Sequence, residues 1–251
     1  MTDEVAIAHV SNDNLILIVG ESAAGKSVGL KNLRNPEGVF YANCESGKKL
    51  PFRSKFKEKI ITDPYAIYTL FQGLEQGKAK NKYHTAVIDT ITFMMDMFES
   101  QHVIGATNTM AAWGDYGQFF RNLMQQYVAP SSKNIIMLSH IVGTLNEELG
   151  YMEYIVPIKG ALKGKVEAFF SQIIGARRVP LRVLEGYENP LLTITPRDEQ
   201  LGFKHVFQTQ LTKETVGWRI RGPMEMWTYE ETFIDNDVQL VLDRTHQYYN
   251  S

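Results

Sequence analysis

The stretch LILIVGESAAGKS, residues 15–27, constrains this chain more tightly than any other. Five apolar residues run into a small-residue loop that ends in Lys-Ser. The spacing is Gly20, four residues, Gly25, Lys26 and Ser27, which matches the phosphate-binding loop pattern at every fixed position. Leu15 to Val19 suits a strand buried on both faces. After Ser27, VGLKNLR reads as a helix that Pro36 stops. Strand, glycine loop and helix N-terminus place successive backbone N–H groups around an anion. Glycine permits the backbone angles and close approaches that a Cβ would block. Gly20, Glu21, Ser22, Ala23, Ala24, Gly25, Lys26, Ser27 and Val28 then form the cradle. Lys26 can reach the β- and γ-phosphates, and Ser27 can give its hydroxyl to Mg²⁺.

Apolar runs recur between helix-length segments: LILIV (15–19), VFYA (39–42), TAVI (85–88) and NIIML (134–138). That alternation predicts a mainly parallel sheet with crossover helices. Asp63-Pro64 predicts a helix start, with Asp as N-cap and Pro in the first turn, running to about Gln76. A second helix is expected over Tyr116–Tyr127. Beyond about residue 173 the pattern changes. IIGARRVPLRVL, LLTIT, KHVFQTQL and GWRIRG read as short strands, an antiparallel extension of the sheet. The tail from Glu225 to Asp243 holds six acids and neither Lys nor Arg, and reads as a solvated face or a terminal helix.

At 251 residues and 44% hydrophobic, the chain can bury a substantial core as one α/β domain. No apolar run approaches the roughly 20 residues that cross a bilayer. MTDEVAIAHV carries early acids and no basic leader, so no signal peptide is expected. Cys44 is the sole cysteine, which excludes an internal disulfide framework and a cysteine-based zinc site. A reducing cytoplasm is the expectation. The formal net charge of −2 disfavours a dedicated duplex-DNA binder, although local basic patches remain available.

A phosphate loop works with a carboxylate that orients magnesium from a neighbouring strand. In KYHTAVIDTITFM, Asp89 stands at a strand's C-terminal end, the edge where α/β sheets bind ligands. Thr90 follows it rather than Glu, so a base must come from elsewhere. Glu45, in VFYANCES, is the candidate to accept a proton from attacking water. The alternative is a solvent-exposed turn residue beside Ser46-Gly47. NIIMLSHI brings Ser139 and His140 to the same edge, where a polar side chain can report the γ-phosphate or simply satisfy its neighbours. A basic stretch, KKLPFRSKFKEK, sets Lys48, Lys49, Arg53 and Lys55 among Phe52 and Phe56. Cations and rings in that pattern suit single-stranded nucleic acid, whereas a solvated edge with inward-packed rings is the plainer alternative. Arg177-Arg178 forms a smaller cluster of the same kind.

In this order the elements resemble the RecA-like recombinase core: GESAAGKS, a strand ending in Glu45, VIDTITFM with Asp before a hydroxyl residue, and a strand ending in a polar sensor. Within that class the chain resembles the small phage-encoded ATPases related to single-strand annealing proteins. AAWGDYGQFFRNL looks like their segment after the second nucleotide motif, and KGALKGKVEAFFSQIIGARRV like the one after the sensor strand. The resemblance covers most of residues 10–180. It implies one RecA-like domain, with a nucleotide core over about 10–180 and a β-rich extension over about 181–251. It implies ATP and Mg²⁺ as cofactors. Gly25, Lys26 and Ser27 would bind phosphate and metal, Asp89 would hold magnesium through water, Glu45 would be the base and His140 the sensor.

The activity implied is ATP hydrolysis on single-stranded DNA in phage-type recombination or replication, by a ring or filament in the host cytoplasm. A single-strand-binding protein is a further expected partner. Members of this class often complete the site with a neighbouring subunit's cation, and KETVGWRIR offers Lys213 and Arg219. Thr215 stands where their pattern has arginine. Their DNA-facing loops would fall at residues 101–115 and 142–164, the latter holding Lys159 and Lys163 among Glu147, Glu148 and Glu153. Three rivals share the phosphate loop: a helicase-like translocase, an ATP-switched binding module without turnover, and a small-molecule kinase.

Overall fold

A computed structural model describes residue 12 and residues 14–250. MTDEVAIAHV lies outside the described residues. The strands are β1 (Leu15–Gly20), β2 (Val39–Asn43), β3 (Lys57–Ile60), β4 (Thr85–Asp89), β5 (Asn134–His140), β6 (Val142–Asn146), β7 (Tyr151–Ile155), β8 (Gln172–Pro180), β9 (Phe203–Gln208) and β10 (Phe233–Asp235). Eight form one sheet in the order β10-β9-β8-β1-β5-β4-β2-β3, and β6 pairs with β7 as a separate hairpin. From β8 to β3 every pairing is parallel, while β9 and β10 add on antiparallel. This is the RecA-like arrangement of a mainly parallel sheet with an antiparallel extension, as the apolar runs predict.

β1 is buried along its whole length because both flanks and both faces are covered. Its odd residues Leu15, Leu17 and Val19 face a core built with α1 (Ala66–Leu74), α3 (Ile91–Phe98) and α4 (Thr109–Asn122); α2 (Gly77–Lys82) follows α1 with no buried residue. Ile16 and Ile18 face the other core, which Leu30, Leu33, Phe207 and the terminal helix complete. The period-two alternation of a strand thus divides one apolar run between two cores.

Two short helices, α5 (Leu181–Leu184) and α6 (Pro196–Leu201), precede β9, and α7 (Val238–Asn250) closes the described chain. The buried residues of α7 are Val238, Val241, Leu242 and Thr245, a spacing that places them on one helical face.

The helix expected after Ser27 is reduced to a single 3₁₀ turn, Val28–Leu30. Gly29 and Asn32 form helix poorly, and Asn35 adopts φ 46° before Pro36. The segment is held from outside instead. Arg34 donates from its two terminal guanidinium nitrogens to Asp243, Asn32 donates to Asp237, and the Phe207 ring lies against Gly29. α7 therefore covers sheet surface beside a shortened loop helix.

Other boundaries shift for local reasons. The helix expected from Tyr116 begins at Thr109, because the Asn108 side chain caps it by accepting from the Ala111 amide at 3.1 Å. LLTIT forms no strand, and GWRIRG contributes only the bridge between Ile173 and Arg221. Only the end of the acidic tail enters the terminal helix: Val238–Asp243 begin α7, whereas Glu230 and Glu231 lie in a 3₁₀ turn and Asp235 ends β10, and Asp235 pairs with Lys204 and Glu231 with Arg244 of α7.

Two glycine substitutions are expected to move stability in opposite directions. A Cβ at Gly29 would lie 2.5 Å from both the Phe207 ring and the Asn236 side chain, whereas one at Gly73, in α1, meets nothing within 4 Å. Gly73→Ala should stabilise by about 0.5–1 kcal/mol, and Gly29→Ala should destabilise by about 1–3 kcal/mol. Chemical denaturation of both variants checks the difference in sign.

Candidate functional site

Parallel register gathers the ends of four strands. Gly20 lies opposite His140, and Asn43 opposite Asp89. Each sits at the C-terminal edge of its strand, where loops leave the sheet and ligands bind. There the loop between Gly20 and Val28 borders a cavity of about 360 Å³, with Tyr41, Glu45, Lys48, Asp89, His140, His205 and Asn236 also in its lining.

The loop bends through Ala23 at φ 60° and Gly25 at φ 97°. Alternating hands of this kind make consecutive amides converge into an anion-binding concavity. Among the described residues, the amides of Gly25, Lys26 and Ser27 donate to no protein acceptor. The carbonyls are tied back instead. Asn236 Nδ2 donates to the Gly25 oxygen at 3.0 Å, and His205 Nε2 lies 3.3 Å from the Ala23 oxygen. Donors on one side and engaged acceptors on the other leave a cradle with positive polarity. Because the helix after it is a single turn, this polarity comes from the amides themselves rather than from a long macrodipole.

Lys26 is almost fully buried and donates to the Gly20 and Glu21 carbonyls at 2.9 and 2.8 Å. Burial lowers its pKa to about 8, against the opposing pull of Asp89 and Glu45. Its Nζ also lies 3.3 Å from His140 Nδ1. An ammonium can only donate, so that nitrogen accepts, and the proton belongs on Nε2, which faces Glu45 Oε1 at 3.6 Å. Burial, followed by the Lys26 charge, holds the His140 pKa below its usual value and keeps the ring neutral. Ser139 is buried away from the cavity, where its hydroxyl meets that of Thr92.

Asp89 is 1% exposed, and its Oδ2 accepts from the Ser27 hydroxyl at 2.8 Å and the Tyr41 hydroxyl at 2.7 Å. Burial raises its pKa, and these two hydrogen bonds oppose that rise. Its Oδ1 has no partner among the described groups. A buried carboxylate oxygen left bare is costly, and a hydrated divalent cation is the group that would satisfy it. Ser27 and Asp89 therefore fit magnesium by their donor chemistry as well as by spacing. Thr90, the residue standing where a second acid was absent, caps α3 by accepting from the Phe93 amide.

Glu45 is not a solvent-exposed turn residue. Its side chain is 10% exposed, and its Oε2 accepts from Lys48 Nζ at 2.8 Å. Asn43 positions it by accepting from the Glu45 amide at 3.0 Å.

The remaining candidates are scattered. Lys48 and Lys49, read for DNA, line this cavity. Arg53 and Lys55 lie further out, with Lys55 3.2 Å from Glu37. Phe52 and Phe56 pack against the core near Tyr41, which is the inward-packed alternative. Lys159 pairs with Glu99 at 2.8 Å, and Lys163 is exposed. Neither Lys213 nor Arg219 reaches the cavity of its own chain. Lys213 is 92% exposed, and Arg219 donates to the Gly164 carbonyl at 2.7 Å.

Sequence reading missed Tyr41, His205 and Asn236. Tyr41 carries a weak signal, as a hydroxyl two positions before Asn43 on the strand beside Asp89. His205 and Asn236 arrive from the extension with no motif around them.

The family described as AAA domain matches residues 12–189, most of the chain. Comparison with curated proteins gives no match.

The Lys26 environment generates a pH dependence. A bound triphosphate favours the ammonium, whereas the free protein loses that proton above about pH 8. Triphosphate affinity should therefore be full at neutral pH and fall above 8, approaching about tenfold per pH unit. Calorimetric titrations across that range check it; an unchanged affinity well above pH 8 would contradict the assignment.

Proposed function

The chain belongs to the AAA domain family of P-loop ATPases, and on that premise we propose that it hydrolyses ATP with Mg²⁺ while acting on single-stranded DNA, in recombination or replication of the phage type. The observation that carries the ATPase reading is the hydrogen bond from Ser27 to Asp89 beside the buried Lys26, at the mouth of an amide-lined loop. Together these groups form both halves of a magnesium-triphosphate site. Bound magnesium would neutralise charge on the β- and γ-phosphates. Ser27 and Asp89 would hold it, and Tyr41 fixes the Asp89 carboxylate by donating to the oxygen that Ser27 also meets. Lys26 gives the phosphates its ammonium in place of the loop carbonyls it now meets. Glu45 accepts the proton of the attacking water. His140, between Lys26 and Glu45, is placed to register whether the γ-phosphate is present.

Support for the DNA reading is the exposed basic edge that continues from the cavity mouth: Arg53 and Lys55, then Lys57 and Lys59 on β3. Phosphodiester backbones are held by such cations in a salt-dependent way.

Lys26→Ala should lower phosphate release by about 100-fold or more, and single-stranded DNA should accelerate the unaltered protein. Turnover that ignores the Lys26 substitution would refute the ATPase assignment. An ATPase that does not respond to DNA at low salt would refute the DNA reading alone.

A further inference from the structure

The phosphate loop, the metal carboxylate and the base leave one close contact in the cavity without a role, the ion pair between Lys48 and Glu45. Lys48 Nζ stands 2.8 Å from Glu45 Oε2, and its side chain is 73% exposed. We propose that Lys48 is a catalytic residue that supplies, from within the same subunit, a cation for the transferred γ-phosphoryl group, and that its ion pair with Glu45 holds the base in reserve until a triphosphate draws the ammonium away. This rests on the ATPase reading above.

The backbone around Lys48 is built for one placement. Ser46 at φ 56° and Gly47 at φ 79° reverse the chain immediately after Glu45. The Lys48 amide donates to the Glu45 carbonyl at 3.1 Å, and the Lys48 carbonyl accepts from Asn43 Nδ2 at 2.9 Å. Asn43 is itself fixed by its register opposite Asp89 and by donating to Glu58. Backbone clamps on both sides of the residue leave only the side-chain torsions free. The ammonium is thus delivered to the wall of the cavity while remaining able to move.

Charge balance gives that ammonium its task. Glu45 and Asp89 bring two carboxylates to the cavity, and a magnesium triphosphate adds further negative charge. Lys26 answers part of this, but its Nζ is shared among the Gly20 and Glu21 carbonyls and His140 Nδ1. Lys48 is exposed and its proton is held more firmly through the bond to Glu45, so it is charged whenever nucleotide enters. Only the Lys48 end of the pair is exposed, so the ammonium can exchange Glu45 for phosphate oxygens without leaving solvent. Glu45, once released, keeps its placement through Asn43 and His140 and becomes free to accept a proton.

In the step itself the water oxygen bonds to the γ-phosphorus as the bond from phosphorus to the β,γ-bridging oxygen breaks. That electron pair leaves on ADP, the water proton passes to Glu45, and the products are ADP and inorganic phosphate. Lys48 makes and breaks no covalent bond; its charge stabilises the equatorial oxygens in the transition state. A cation within the chain also removes the need for Lys213 or Arg219 of a neighbour in the chemical step.

Steady-state ATPase assays, with ADP affinity measured alongside, test this on the full chain. Lys48→Ala should lower kcat by about 100-fold or more while ADP affinity stays within about two-fold. Lys48→Arg should recover a measurable part of the loss, which a purely structural role would not produce. Lys213→Ala and Arg219→Ala should leave turnover per subunit unchanged across dilution. A Lys48→Ala kcat within about two-fold of the unaltered protein, with Lys26→Ala inactive, would overturn the proposal and leave the ATPase reading standing. Loss of turnover on dilution, or in either of the other two variants, would return the cation to a neighbouring subunit and overturn it as well. Full activity in Lys26→Ala would instead overturn the ATPase reading itself.

Discussion

A carboxylate buried between two hydroxyls organises this molecule. Asp89 accepts from Ser27 on the phosphate loop and from Tyr41 on β2, while its other oxygen meets no described partner. Three separate segments converge on one side chain that is 1% exposed. Burying a charge is costly unless hydrogen bonds and a counter-charge meet it. The two hydroxyls meet half of that demand, and Lys26 adds a charge near enough to favour the ionised form. The bare oxygen expresses the demand that remains. A sheet that set β4 one residue out of register with β2 would turn Asp89 to the opposite face, away from Tyr41, and dismantle the arrangement.

The loop that carries Ser27 is braced in an unusual manner for its motif. A long helix after the lysine would hold the loop from its C-terminal side. Here that segment makes one 3₁₀ turn, and residues much later in the chain take over the bracing. Asn236 and His205 engage the loop carbonyls, Phe207 lies under Gly29, and Asp243 of α7 and Asp237 just before it anchor Arg34 and Asn32. The antiparallel extension is thereby part of the nucleotide cavity as well as of the sheet. Each carbonyl bound from behind leaves the neighbouring amides turned toward the ligand side, so bracing and anion binding share one geometry.

How far sequence reading reached follows from which interactions are local. The four apolar runs become β1, β2, β4 and β5, because burial on both faces imposes a continuous apolar pattern. Lys26, Ser27 and Asp89 were legible through fixed spacing and strand position. Glu45 and His140 were legible only as strand-end residues. Their pairing with Lys48 and Lys26 depends on the order in which β1, β5, β4 and β2 lie side by side. The failure to foresee the shortened loop helix has a related cause. Gly29, Asn32 and Asn35 weaken the helix locally, and the contacts that hold the shortened segment come from residues about 200 positions away. LLTIT shows the opposite limit: β-branched residues favour a strand, yet that stretch finds no neighbouring strand to pair with.

The central claim is that Asp89 and Ser27 form a magnesium edge for a triphosphate held by the loop. Manganese binding followed by electron paramagnetic resonance, in the presence of a non-hydrolysable ATP analogue, addresses it most directly. Manganese should be captured by the unaltered protein and held at least about tenfold more weakly by Asp89→Asn, with nucleotide still bound. Equal manganese affinity in the two proteins would contradict it.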